Sequence, residues 1–139
     1  MVLRGTNSGQ PYALRLSLGG GGGASSRGDG LSNSEAGDRF TKLPSIESLE
    51  RTYPIRILEY ASRGGSGGPG RYVGGMGSVF EFEFLGEHAL LTVFFDRAIR
   101  GAGGLSRGTR GAKSSVQIQR QGRWEGRNKD EDISMVSGD

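Results

Sequence analysis

Apolar and polar positions alternate along much of the chain, and this pattern predicts short β-strands. In Val79–Leu85, Phe80, Phe82 and Phe84 alternate with two glutamates, so we expect three rings in a core and two carboxylates in solvent. The stretch Tyr12–Leu18 alternates in the same way. Further strands are predicted, from alternation or from aliphatic and aromatic content, at Ile55–Ala61, Ala89–Phe95, Val116–Gln119 and Ile133–Val136.

One short helix is predicted among these strands. Ser45 can cap its first turn, and Pro54 ends it because proline has no amide hydrogen to donate. Apolar residues at helical spacing form one stripe that faces the core. Glu47 lies four residues before Arg51, which predicts an ion pair on the exposed face.

Glycine contributes 27 of the 139 residues and is concentrated in two fields, Gly19–Gly23 and Gly64–Gly77. With the strands, these fields predict a mainly β fold, an antiparallel sandwich or open barrel of short strands with one short helix and long Gly-rich loops. We expect residues 1–139 to form a single domain or a fragment of one, with a thin hydrophobic core.

Charge is distributed unevenly, although the formal net charge is only +3. From Arg97 to Arg127 there are eight basic residues and one acid, Glu125, whereas residues 128–139 are predicted to form an acidic tail. The basic stretch could attract phosphate, nucleic acid or an acidic partner, or it could be a solvated surface. The longest apolar stretch, Ala89–Phe95, is too short to cross a bilayer, so we expect a cytoplasmic protein with no membrane partner.

Residue types also exclude several kinds of site. The chain has no cysteine and a single histidine, His88, which excludes a thiol nucleophile and a multi-histidine centre, so no metal site is expected. Gly108–Ser114 is similar to a phosphate-binding loop, but Ala112 stands where such a loop needs glycine, and a strand follows instead of a helix. Gly19–Gly23 could form a nest of amides for an anion, or it could be a flexible connector.

Several segments, in chain order, resemble motifs of one protein family. The most specific is the block Ser66–Tyr72 followed by Gly74–Gly77, which is similar to a signature of the form SGGxGxxRGGxG. The other matching segments are Gly19–Ala24 with Asp29–Gly30, Ile46–Glu50, Tyr53–Arg56, Asp96–Arg97 and Gly104–Gly108. The chain therefore resembles the C-terminal region of the hydantoinase B/5-oxoprolinase family, which includes the large subunits of acetone-carboxylase-type enzymes.

The chain also departs from the family pattern. Val73 replaces an arginine-like residue, Arg107 replaces a glycine, and Ser32–Ser34 occupy a stretch where many members carry histidine. Compared with a usual B subunit, we expect the chain to represent only about the last quarter.

The resemblance implies part of an ATP-dependent enzyme that opens a cyclic amide ring by hydrolysis, or a member of the carboxylase branch. The implied partners are a hydantoinase A-type subunit, the remaining B-type segment and a cyclic amide substrate. The resemblance implies ATP and a divalent metal in the complete enzyme, and we expect this fragment to bind no cofactor by itself.

Nine residues are candidates for the site. The catalytic candidates are Asp29, Glu47, Arg71, Asp96 and Arg97, and the cofactor-binding candidates are Gly67, Gly68, Gly74 and Gly75. Two of the arginines, Arg71 and Arg97, could contact phosphate or a carboxylate while glycine amides stabilise an oxyanion. Alternatively, the glycines permit tight turns, Asp29 forms a turn and Glu47 pairs on the helix surface.

Two other functions remain open. The chain could be a non-catalytic accessory or relic domain, because nucleotide-binding residues would lie elsewhere. It could also be an RNA-binding protein of the arginine–glycine type, since several Arg-Gly pairs occur. Such segments are disordered and repetitive, whereas these pairs lie between patterned strands, so we do not expect nucleic-acid binding.

Overall fold

Antiparallel strands dominate the computed structural model, which describes residues 1–35, 39–40, 43–128 and 132–139. The helix is α1 (Ile46–Thr52), and the strands are β1 (Val2–Asn7), β2 (Gln10–Arg15), β3 (Ser34–Glu35), β4 (Arg39–Phe40), β5 (Ile55–Ser62), β6 (Ser78–Phe84), β7 (His88–Thr92), β8 (Val116–Arg120), β9 (Arg123–Arg127) and β10 (Asp132–Val136). This confirms the prediction of a mainly β, antiparallel chain with one short helix and long glycine-rich loops. The described strands form four separate sheets, and none of them closes into a barrel.

The largest sheet has four strands in the order β10-β7-β1-β2. A row of directly opposed, buried residues crosses all four strands: Leu14 on β2, Leu3 on β1, Leu91 on β7 and Ile133 on β10. Cross-strand apolar pairs of this kind stabilise a sheet and fix its register, because a one-residue slip would turn each side chain to the other face. Strand β7 is an interior strand of this sheet, with β10 on one side and β1 on the other.

The helix packs beside the two-stranded sheet of β5 and β6. The Ser45 hydroxyl accepts a hydrogen bond from the Ser48 amide at 3.3 Å, which confirms the predicted cap. Leu49 is the buried residue of the helix, and Ile55 and Phe84, which are opposed across the sheet, are also buried. The three side chains belong to the same core as the four-stranded sheet, so that core joins the two sheets.

Some details of the strand predictions are wrong. Of the three phenylalanines of β6, Phe84 is fully buried, whereas Phe80 and Phe82 are half-buried and pack against the core from outside. The two glutamates between them are also half-buried rather than fully exposed to solvent. Strand β2 ends at Arg15, and Leu18, predicted to be buried, is exposed.

Glu47 and Arg51 do not form the predicted ion pair, although both are described. The neighbouring Glu50 instead accepts a hydrogen bond from the Ile57 amide at 2.7 Å, which ties the helix to β5. Exposed pairs at helical spacing gain so little free energy that their side chains do not have to meet.

The predicted acidic tail contains a strand. Residues 132–136 form β10, which pairs with β7 and buries Ile133 and Met135. Residues 129–131 of the same predicted tail lie outside the described residues. The Thr92 hydroxyl donates a hydrogen bond to the Asp132 carboxylate at 2.5 Å, so one acidic residue fastens the edge strand.

Three glycine-rich stretches, residues 19–34, 66–77 and 101–112, pack on one another through their backbones, and we call this region the glycine stack. Amide-to-carbonyl hydrogen bonds of 2.8–3.0 Å join the stretches internally and to each other: Gly22 to Leu31, Gly75 to Gly22, Gly30 to Val73, Asn33 to Met76, Thr109 to Pro69, Ala112 to Ser66 and Gly111 to Ala102. These bonds satisfy backbone groups outside the regular sheets. The stack is therefore an ordered element, and Gly19–Gly23 belong to it rather than to a flexible connector.

Close approach of these backbones requires glycine. A Cβ at Gly21 would lie 1.8 Å from the carbonyl oxygen of Gly75, and one at Gly75 would lie 2.0 Å from that of Leu31. Within the third stretch, a Cβ at Gly101 would lie 1.8 Å from the carbonyl oxygen of Gly111. Such distances are far inside van der Waals contact, so any other residue would force the backbones apart.

The close contacts predict that alanine substitutions in one run of glycines have opposite outcomes. Gly21→Ala should destabilise the chain by about 1–3 kcal/mol, because its methyl group would overlap a backbone carbonyl that cannot move alone. Gly23→Ala is the matched control, since its added Cβ would meet no heavy atom within 4 Å. We expect Gly23→Ala to change stability by no more than about 0.5–1 kcal/mol, in the stabilising direction. Urea unfolding of both variants measures this, and equal effects would contradict the close-packed stack.

Candidate functional site

An open groove of about 1930 Å³ runs between the glycine stack and the sheets. One wall is the glycine stack, and the other walls come from β6, the segment after β7 and the β8–β9 hairpin. The aromatic side chains of those walls include Phe80, Phe82, Phe94 and Trp124. The lining therefore combines glycine backbone, aromatic surface and a few charged side chains, which suits a ligand with polar and apolar parts.

Seven of the nine candidate residues line this groove. They are Arg71, Asp96, Arg97, Gly67, Gly68, Gly74 and Gly75. The structure thus brings together residues that are up to 30 positions apart (67 to 97) in the sequence. Their roles in chemistry stay predictions.

Asp29 and Glu47 are not part of the groove lining. The Asp29 carboxylate accepts a hydrogen bond from the Val73 amide at 2.7 Å, so it holds two stretches of the glycine stack together. The Ser32 hydroxyl acts in the same way on the Met76 amide at 2.9 Å. Glu47 lies exposed in the first turn of α1. Their positions support a structural role for Asp29 and a surface position for Glu47.

Several amides of the described glycine stack donate no hydrogen bond, and two of them belong to adjacent glycines of the Ser66–Tyr72 block. Within the described part of the chain, the amides of Gly67 and Gly68 donate to no acceptor, and both residues line the groove. Neighbouring groups are fixed, because the Ser66 carbonyl accepts from Ala112 at 2.9 Å and the Gly68 carbonyl accepts from Gly74 at 3.0 Å. Adjacent free amides on a fixed backbone can bind an anion.

Two arginines of the groove differ in how they are held. The Arg71 guanidinium lies 5.6 Å from the ring centroid of Tyr72, within the range of a cation–π contact. Arg97 has a backbone φ of +65°, in the left-handed region that residues with a Cβ rarely adopt. Both side chains are exposed to solvent. They are accessible to an anionic ligand.

A buried carboxylate stands at the end of the groove. The Asp139 side chain is only 4% exposed and accepts hydrogen bonds from Nε of Arg120 at 3.1 Å and from the Val136 amide at 3.0 Å. Burial alone would raise the pKa of Asp139, but the hydrogen bonds from Arg120 and Val136 and the charges of Arg120 and Arg127 outweigh it and lower that pKa. This ion pair joins the β8–β9 hairpin to residues next to β10.

The described residues contain no group of three or more histidine, aspartate or glutamate side chains placed to hold a metal ion. The described part also contains no helix long and apolar enough to cross a membrane. What the groove can do with its own groups is bind and orient a ligand through amides and cations.

Comparison with known proteins gives the family. The family described as Hydantoinase B/oxoprolinase matches residues 1–139. The chain belongs to this family. Its relatives include a 5-oxoprolinase of Dictyostelium discoideum, 35% identical over 49% of this chain, and 5-oxoprolinase 1 of Arabidopsis thaliana, 30% identical over 70% of it. An uncharacterised protein of Methanocaldococcus jannaschii is 36% identical over 56% of this chain.

The matched regions cover 14% of the Methanocaldococcus jannaschii protein, 5% of the Dictyostelium discoideum 5-oxoprolinase and 8% of the Arabidopsis thaliana protein. The chain thus spans a small part of the length of these relatives. No solved structure matches the chain.

The segment most similar to the hydantoinase B/oxoprolinase signature lies in the glycine stack. Ser66–Tyr72 and Gly74–Gly77 form the middle stretch of the stack and contact both of the other stretches. Ser32–Ser34, which occupy the place of histidines in many members, have structural contacts here. The Asn33 side-chain amide donates to the Ser62 hydroxyl at 2.9 Å. This part of the chain supports the stack and carries no imidazole.

Two basic residues of the groove lining, Arg63 and Lys113, were not among the predicted site residues. The Arg63 side chain donates a hydrogen bond to the Lys113 carbonyl. Arg63 immediately precedes the glycine block and Lys113 immediately follows residue 112 of the stack. The signal in the sequence was a basic residue beside each of these two glycine-rich stretches. The contact between Arg63 and Lys113 depends on the folded stack and could not be predicted from that signal.

The lowered pKa of Asp139 predicts an acid-dependent loss of stability. A lowered carboxyl pKa contributes stability at pH values above the unfolded pKa, about 3.8, and loses it as pH falls through the folded pKa. At pH 7, Asp139→Asn should therefore destabilise the chain by about 1–2 kcal/mol, because Arg120 loses a charged partner. As the pH falls below the lowered pKa of folded Asp139, the variant and the natural chain should converge. Thermal unfolding followed from pH 7 into the acid range tests this, and a stability difference that does not depend on pH would contradict it.

Proposed function

We propose that this chain is part of an ATP-dependent hydantoinase/5-oxoprolinase-type enzyme that hydrolyses a cyclic amide. The observation that carries the proposal is the match of the Hydantoinase B/oxoprolinase family to residues 1–139, together with the similarity to proteins named 5-oxoprolinase. The groove adds a physical reason, because it presents amide donors and cations beside an aromatic wall.

The chemistry needs more groups than this chain offers. A cyclic amide is a poor electrophile, and transfer of the γ-phosphoryl group of ATP to its carbonyl oxygen, with release of ADP, activates it. Water then adds to the carbonyl carbon. The phosphorylated oxygen leaves as inorganic phosphate, the carbon–nitrogen bond of the ring breaks, and the nitrogen takes a proton, which leaves a carboxylate and an amine. The described residues form no cluster of metal ligands, so we assign nucleotide and metal binding to the A-type subunit or to the remaining B-type segment.

The role that we assign to this chain is to hold anionic groups in that reaction. The amides of Gly67 and Gly68 can donate to an oxygen that gains negative charge as water adds. Arg71 and Arg97 can pair with a phosphate or carboxylate at the same groove. The two glycine amides need no rearrangement during the reaction because the glycine stack holds its backbone by hydrogen bonds.

Reconstitution tests the proposal. We expect the 139-residue chain alone to have no activity, and its complex with the A-type subunit and the remaining B-type segment to open 5-oxoproline or a hydantoin with one ATP hydrolysed for each ring. The measurement is product formation and ADP release with each component omitted in turn. Ring opening without ATP, or full activity without this chain, would contradict the proposal. An assembled complex that binds this chain but lacks all turnover would support an accessory role instead.

Arg71 provides a sharper prediction within that complex. If its guanidinium pairs with an anion of the reaction, Arg71→Ala should lower kcat/KM about 10- to 100-fold, the value of a charge-assisted contact of 1.4–2.8 kcal/mol. Arg51→Ala, which removes an exposed arginine of α1, is the matched control and should leave the rate unchanged. Unchanged turnover and ATP dependence in Arg71→Ala would remove this residue from the site.

A further inference from the structure

Three basic residues from distant parts of the sequence meet at one wall of the groove. They are Arg63, just after β5, Arg97, in the segment after β7, and Lys113, shortly before β8. The Nη1 atom of Arg63 donates a hydrogen bond to the carbonyl oxygen of Lys113 at 2.6 Å. The amide of Ser114 donates to the carbonyl oxygen of Arg97 at 3.2 Å. These two bonds place the Arg63 guanidinium against the backbone of Lys113 and hold the backbones of Arg97 and Ser114 side by side. We call the residues Arg63, Arg97 and Lys113 the basic cluster.

The basic cluster has no internal counter-ion. None of its three side chains lies within ion-pair distance of a carboxylate in the described part of the chain, and all three are exposed. Asp96 is the adjacent acid on the groove lining, and it forms no ion pair with the cluster. Gathering like charges raises the free energy of the folded state, and binding an anion among them would offset that cost.

Arg97 is one of six described non-glycine residues that have a positive φ. Its φ of +65° costs a residue with a Cβ about 1 kcal/mol or more relative to an ordinary conformation. The carbonyl of Arg97 accepts the hydrogen bond from the Ser114 amide in this conformation. Glycine would adopt this φ without strain, so Arg97→Gly removes the charge at no cost in local backbone strain.

We propose that the basic cluster is a binding site for a small oxyanion, a phosphate or a carboxylate. This inference rests on the proposed function in one respect, because the reaction supplies both a phosphorylated group and, in 5-oxoproline, a carboxylate. The cluster shares Arg97 with the predicted pair of Arg71 and Arg97, but it contains Arg63 and Lys113 in place of Arg71. Arg63 is the positioning residue as well as a charge, because it fixes the Lys113 backbone.

Binding can be measured on the 139-residue chain without any turnover. We would titrate the chain with inorganic phosphate and, separately, with acetate at constant ionic strength, and follow amide shifts by NMR. We expect saturable binding, with shifts that centre on residues 63, 97 and 113. Tighter binding of phosphate would identify the phosphorylated group as the ligand, and tighter binding of acetate would identify the substrate carboxylate.

Variants separate the site from its structural background. Lys113→Ala and Arg97→Gly should each weaken anion binding about tenfold, equal to 1.4 kcal/mol for one charged contact. Arg97→Gly should also leave thermal stability unchanged or raised, because glycine relieves the strain. Lys113→Arg keeps the charge and should retain binding. Arg123→Ala is the matched control, since Arg123 is an exposed arginine of β9 outside the groove lining.

Three outcomes would overturn the inference: no saturable binding of either anion, equal loss of affinity in Arg123→Ala and Lys113→Ala, or shifts that centre away from the cluster. Failure of the proposed function would look different. Anion binding without ATP-dependent turnover in the reconstituted complex would contradict the enzyme proposal alone, whereas turnover that persists in Lys113→Ala, with no anion binding to the chain, would contradict only the basic cluster.

Discussion

The close contact between glycine backbones is the constraint on which the rest of the structure depends. A Cβ at Gly21, Gly30 or Gly67 would lie 1.8–2.1 Å from a backbone carbonyl oxygen of the glycine stack. No rotamer change can relieve such an overlap, because the obstructing atom belongs to the main chain. Among the described residues, the hydrophobic core contains eleven buried apolar side chains, and none of them comes from the glycine stack. Backbone hydrogen bonds and glycine packing therefore order a large part of the chain that the core does not reach.

The sequence predicted those elements that depend on interactions between residues a few positions apart. The α1 helix has its cap at Ser45 and its stop at Pro54, and both act within a few residues. The turn at Gln121–Gly122 has φ values of +50° and +74°, as in the two-residue turns that join antiparallel strands. By contrast, β1 and β9 were missed. Strand β9 is almost wholly exposed and has no apolar alternation, so only its pairing with β8 makes it a strand.

The site was predictable in part, for a related reason. Resemblance to family motifs pointed to Arg71, Asp96, Arg97 and glycines of the signature block, and the structure places these on one groove. Composition alone could not decide whether a run such as Gly19–Gly23 is flexible or packed, because that depends on segments about 50 residues away. Asp29 shows the same limit. An aspartate that forms a turn and a catalytic aspartate have similar sequence patterns. The hydrogen bond from the Val73 amide to the Asp29 carboxylate shows a third role, which is to hold two stretches of the glycine stack together.

The glycine stack also explains how a small, thinly cored segment can serve a chemical site. Anion binding by surface cations is weak when their long side chains must be ordered first. The Arg63 guanidinium donates a hydrogen bond to the Lys113 carbonyl. The backbone close to both residues is fixed by the stack, since the Ser66 carbonyl accepts a hydrogen bond from the Ala112 amide. Part of the ordering cost is therefore met during folding rather than on binding. The rigid glycine backbone can thus position the charged residues that flank it. A site for a phosphate or carboxylate requires cations that are positioned before the anion binds.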